Sequence, residues 1–109
     1  MLDTTPLITA VDRFADRLRS TPQSRLQQGV AAEALATARE LSAWAQRTEA
    51  PDREARIMPD AGIFAVGDQL AVAGRDLAVA LETAPSQELD EAVSRVEEAS
   101  ARAFPPVPR

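Results

Sequence analysis

Two sets of residues in this chain have types and spacing that suggest chemistry. Glu88, Asp90 and Glu91 form an acidic cluster, and Arg53 and Arg56 stand three apart in a charged, proline-bounded stretch. Clustered carboxylates do acid–base work when burial or a like charge lifts one pKa towards neutrality. These three sit on the polar face of a helical pattern with arginine in pairing range, so nothing there raises a pKa and no catalytic residue is expected. Two guanidiniums converging with Arg47 would offer planar donors to a carboxylate or phosphate. Arg53 and Arg56 are therefore the candidate anion-binding residues, with Asp52 and Glu54 beside them as built-in compensation.

Composition removes most other chemistries. The chain has 109 residues with no His, no Cys and no Lys, and all 12 basic residues are Arg. Zinc and haem sites of the usual ligand types need His or Cys, and di-metal bundles need Glu-x-x-His. Walker loops and Schiff bases need Lys. Gly62, Gly67 and Gly74 lie in a helical pattern, not between a strand and a helix, so they form no phosphate loop. The expectation is a non-enzyme with no cofactor and no metal.

Charge argues against nucleic acid and membrane as partners. The formal net charge is −5, and Arg13, Arg17 and Arg19 alternate with Asp12 and Asp16 without forming a basic face. The N-terminal residues lack a basic, apolar leader pattern. The most apolar stretch, 61–84, is interrupted by Asp68, Arg75, Asp76 and Glu82. A cytoplasmic protein is expected.

The elements that carry these residues are helices. Leu7, Val11, Phe14 and Leu18 recur at helical spacing over 6–19, with Thr5 as cap and Pro6 in the first turn. A second stripe (Leu26, Val30, Ala34, Leu41, Trp44) runs over 22–48 from the cap Thr21, with Gly29 as its weak point. Residues 50–59 read as the one long loop, and Asp60 as the cap of a third helix over 61–83. In that helix Gly67–Ala73 and Gly74–Ala80 repeat at one heptad. Ile63, Val66, Leu70, Leu77 and Leu81 form its core stripe, and Gly67, Ala71, Gly74 and Ala78 a shallow ridge that invites a neighbouring backbone. A fourth helix opens at Ser86 and carries Leu89, Val93 and Val96, with Glu91–Arg95 and Glu98–Arg102 as i,i+4 pairs. Short connections on either side of the long loop predict an all-α, up-down-up-down four-helix bundle with alanine-rich seams. It spans 1–104, followed by a disordered Pro-rich tail, 105–109, with a PxxP spacing from Pro105 to Pro108.

One face of the third helix remains after the core is assigned. Phe64, Asp68, Val72, Arg75, Asp76 and Val79 share an arc opposite Leu70 and Leu77. Three apolar residues in line approach a patch, which makes this arc the candidate partner-binding surface, for another protein or a second copy in a homodimer. Trp44 reads as core or as an interface anchor. The chain is expected to act as a regulatory or adaptor module for protein–protein interaction. The alternatives are a small-molecule-binding bundle using space above Gly67 and Gly74, and, more remotely, a nucleic-acid-associated regulator. Direct helix contact over those glycines speaks for the first, an apolar cavity for the second.

Overall fold

The computed structural model describes residues 1–106, and every element in it is helical. The elements are α1 (Thr5–Arg19), a short α2 (Gln23–Arg25), α3 (Ala31–Glu49), α4 (Val66–Ala80) and α5 (Ser86–Ala103). The four long helices pack as a bundle with alanine-rich seams. Each buries most of the stripe its sequence sets apart: Leu7, Val11, Phe14 and Leu18 on α1, Leu41 on α3, Leu70 and Leu77 on α4, Leu89 and Val96 on α5, while Trp44, Ile63 and Val93 are only half-buried. Around the bundle the order is α1, α4, α3, α5, each helix touching the two beside it.

The helix directions depart from strict alternation. Arg19 meets Asp68 and Arg75 meets Asp12, so α1 and α4 are antiparallel. Glu33 meets Arg102 and Glu40 meets Arg95, so α3 and α5 are antiparallel as well. Residues early in α3 (Ala31, Leu35) line a cleft with Val66, at the start of α4, and Ser42 and Ala45 line a hollow with Asp76. These two helices therefore run parallel, and the order is up, down, down, up. The reason is the connection: the loop is longer than the sequence pattern suggests, since α4 begins at Val66 and not at Ala61. Residues 50–65 travel back along the bundle, touching Gln46 at Arg56 and Arg39 at Met58. A loop of that length spans a helix that a two- or three-residue turn could not.

Helix starts also shift. Pro22 and Pro85 have extended ψ (148° and 142°) and stand just outside α2 and α5, so Ser86 opens α5 as its first residue and is not its cap. The Thr21 hydroxyl donates back to the Arg17 carbonyl at 2.6 Å instead of capping α2. At α1 the acceptor is Asp3, which takes the Thr5 N–H at 3.0 Å. Hydrogen bonds from the Thr5 side chain and backbone hold the Asp3 carboxyl below its ordinary value. Asp60 accepts the Gly62 N–H at 2.8 Å and turns the chain ahead of α4, where Gly62 has φ 95°. The helix expected over 22–48 breaks where it was weakest. Residues Leu26–Val30 form a wide π-type turn with Gly29 at φ 115°.

At the bundle end, Phe104 is buried edge-on against Phe14, with ring centroids 6.2 Å apart. The Arg17 guanidinium lies 4.2 Å above the Phe104 ring. Pro105 and Pro106 follow, exposed. Residues 107–109, and with them the far half of the PxxP spacing and most of the expected tail, lie outside the described residues.

The seam of α1 and α4 brings side chains hard against glycine. A methyl group on Gly74 would come within 2.6 Å of both Val11 γ-carbons, and one on Gly67 within 3.3 Å of Arg19 Cγ. Gly74→Ala is expected to destabilise the fold by about 1–2 kcal/mol net, overpacking outweighing the gain in helix propensity. In a double-mutant cycle with Val11→Ala, urea unfolding should show coupling above about 0.5 kcal/mol. Additive effects would mean that Val11 does not meet Gly74. A second expectation concerns pH. Because the folded Asp3 carboxyl is shifted down, its stabilisation is complete above the unfolded value of 3.8 and fades as pH falls through the lower folded value. Asp3→Asn, which keeps an acceptor, should flatten that acid dependence without abolishing the helix start, as urea midpoints against pH will show.

Candidate functional site

α1 lies directly on the small-residue ridge of α4, with Val11 filling the space over Gly74, while a hollow of about 170 Å³ remains beside Gly67, bordered by Leu18, Arg19 and Phe64. That contact positions the outer face of α4. Val72 and Val79 are the α4 side chains left outward, 58% and 63% exposed, whereas Phe64, 76% exposed, lies in the turn ahead of α4 and not on the helix face where the spacing put it, bordering a hollow with Leu18, Arg19 and Thr21. The polar residues of the same arc are divided between its two edges. On the α1 edge, Asp68 accepts from Arg19 Nη2 at 2.7 Å, and Arg75 donates from both terminal nitrogens to the two Asp12 oxygens at 3.0 and 3.1 Å. The hydrogen bond to Asp68 also raises the Arg19 pKa above its ordinary value. On the opposite edge, Asp76 borders the hollow shared with α3 and the crossover loop, and Gln69 donates to the Pro59 carbonyl at 2.9 Å. The arc is thus an apolar strip between two rims, with most rim groups tied to neighbouring elements.

Arg53 and Arg56 do come together, in a hollow of about 440 Å³, but Glu49 and Glu54 line it with them and Arg47 does not. The Arg56 backbone is held at both ends by the Gln46 carboxamide, its N–H at 2.8 Å and its carbonyl at 3.0 Å. Two carboxylates beside two guanidiniums leave little net charge for an anion. Trp44 is half-buried between α3 and α5, and its Nε1 donates to Glu88 at 3.3 Å. That takes Glu88 out of the acidic cluster, while Glu91 lies 3.5 Å from Arg95. Arg95 also reaches Glu40, and Arg102 bonds Glu33 at 2.7 Å across the seam, not Glu98 within its own helix. No group of three or more potential metal ligands occurs among the described residues. Nor is any helix among them long and apolar enough to cross a membrane.

The pattern of the sequence does not reveal a cleft of about 410 Å³ at the break before α3. Leu26, Leu35, Ile63 and Val66 wall it, and Arg39, Asp60 and Gln69 border it. Its signals were Gly29 and the Pro59-Asp60-Ala61-Gly62 turn, which mark irregular backbone without saying that the two segments meet. Set against family models, curated proteins and solved structures, the chain matches none of them.

The rim ion pairs are solvent-exposed, so each contributes modestly. Asp12→Asn and Asp68→Asn are each expected to cost less than about 1 kcal/mol. Urea titrations in low and high salt should show that difference shrinking as screening rises. A loss that is large and independent of salt would mean that these pairs do more than set register.

Proposed function

We propose that this protein is a non-enzymatic binding module whose outer α4 strip docks another polypeptide chain. The observation that carries this reading is the joint exposure of Val72 and Val79 on a face of α4 whose rims are tied down by Asp12–Arg75, Arg19–Asp68 and Gln69–Pro59. Apolar side chains presented by a braced helix lose little further freedom on binding, which leaves more of the buried area as affinity. The direct packing of α1 on Gly67 and Gly74 supports a scaffold over a ligand chamber at that seam. A nucleic-acid partner has less support, because Arg19, Arg75, Arg95 and Arg102 all lie against carboxylates. A cytoplasmic setting belongs to the same proposal, since the mixed surface charge offers anionic lipid no basic face.

The test is site-specific photocrosslinking in the host cell, from a benzophenone side chain placed at 72, at 79, or at Glu98 on the outer face of α5. Discrete adducts from 72 and 79 and none from 98 are expected, a mass of twice the chain marking a homodimer. Adducts equally frequent from all three positions, or from none, would overturn the assignment. For the homodimer case, Val72→Asp/Val79→Asp should sediment as a monomer where the wild type does not.

A further inference from the structure

The cleft at the break before α3 has features that the α4 strip lacks. Three side chains from different elements are fastened along three consecutive loop residues. Arg39 Nε donates to the Met58 carbonyl at 2.8 Å, Gln69 Nε2 donates to the Pro59 carbonyl at 2.9 Å, and Asp60 is held by the Gly62 N–H at 2.8 Å. Consecutive α-carbons are about 3.8 Å apart, so a guanidinium, a carboxamide and a carboxylate lie strung along one short stretch of chain. Neither Arg39 nor Asp60 forms an ion pair among the described residues. Gln69 Oε1, the other end of the fastened amide, is the one buried side-chain polar atom among them without a hydrogen-bond partner. That atom is closed to solvent, so the amide braces the cleft wall and is not itself a contact for a ligand.

Apart from Gln27, the rest of the cleft is apolar, walled by Leu26, Leu35, Ile63 and Val66, and its 410 Å³ falls in the range of small-ligand sites. The cleft lies at the break, where Gly29 stands at φ 115° within the wide turn of Leu26–Val30.

We propose that this cleft binds a free apolar α-amino acid. Its carboxylate faces Arg39, its ammonium faces Asp60, and its branched side chain rests on Leu35 and Ile63. The opposite charges of the rim match a zwitterion, whereas a simple anion or cation would satisfy one side and oppose the other. The site shares the Gln69–Pro59 contact with one edge of the α4 strip but not Val72 or Val79, so the two proposals are tested separately.

The experiment is titration of the full-length ¹⁵N-labelled chain with L-leucine, followed by amide chemical shifts. Saturable shifts confined to residues 26–39 and 58–69 are expected, with Kd at or below about 1 mM. On the same wild-type protein, 4-methylpentanoate (no ammonium) and 3-methylbutylamine (no carboxylate) should each bind at least about tenfold more weakly, a 1.4 kcal/mol difference. Asp60→Asn, which keeps an acceptor for Gly62 while removing the charge, and Arg39→Gln should each weaken leucine by a similar factor, with the spectra themselves reporting that the fold persists. Absence of saturable shifts, shifts centred elsewhere, or equal binding of the acid or the amine would overturn the proposal. So would folded variants that bind leucine as the wild type does.

Discussion

The seating of Val11 on Gly74 governs the rest of the molecule. With 22 alanines in the chain, the helices carry little bulk to fill the space between them. A dense core then requires the backbones themselves to come close, and glycine is what allows that approach. Gly74 in the body of α4 weakens it as an isolated helix by about 1 kcal/mol, and Gly67 stands in its first turn. Contact with α1 offsets that loss, because Val11, Ala15 and the Arg19 stem lie where the missing side chains would be. Once α1 covers this side of α4, the opposite side faces outward, and the exposure of Val72 and Val79 follows from the same packing.

Register is set by charge at a matching interval. On α1 and α4 the pairs Asp12–Arg75 and Arg19–Asp68 are seven residues apart on both helices, and the same holds for Glu33–Arg102 and Glu40–Arg95 on α3 and α5. Each antiparallel seam is therefore bracketed by two ion pairs separated by two helical turns. Exposed pairs add little stability. Their use here is discrimination, since a slip of one residue in either seam separates both of its pairs at once. The two parallel contacts, α1 with α5 and α3 with α4, show no such ion pairs among the described residues, and the crossover loop stitches the second of them.

That loop is more than a connector. Its backbone carbonyls at Met58 and Pro59 and its N–H at Arg56 are taken up by side chains of α3 and α4, so a segment without regular structure is held at several points. Fastening it against the break at Gly29 creates the cleft and brings Arg39, Asp60 and Gln69 into its rim.

The helices, the buried stripes and the weak point at Gly29 were legible in the sequence, because each depends on spacing within one segment: apolar residues every three or four positions and a glycine with no side chain to commit it to a helix. The exposure of Val72 and Val79 was legible for the same reason, but helical spacing misplaced Phe64, which lies in the turn before α4. Choices between remote partners were not legible. Arg102 has Glu98 within reach on its own helix, yet it bonds Glu33, 69 positions away. Asp60 looks like a helix cap and instead turns the chain before α4. The parallel run of α3 and α4, and the cleft beside it, arise only when residues 50–65 return along the bundle. Periodicity is a local property of the chain, whereas direction and enclosure depend on which surfaces meet, and that is decided by packing among all the helices together.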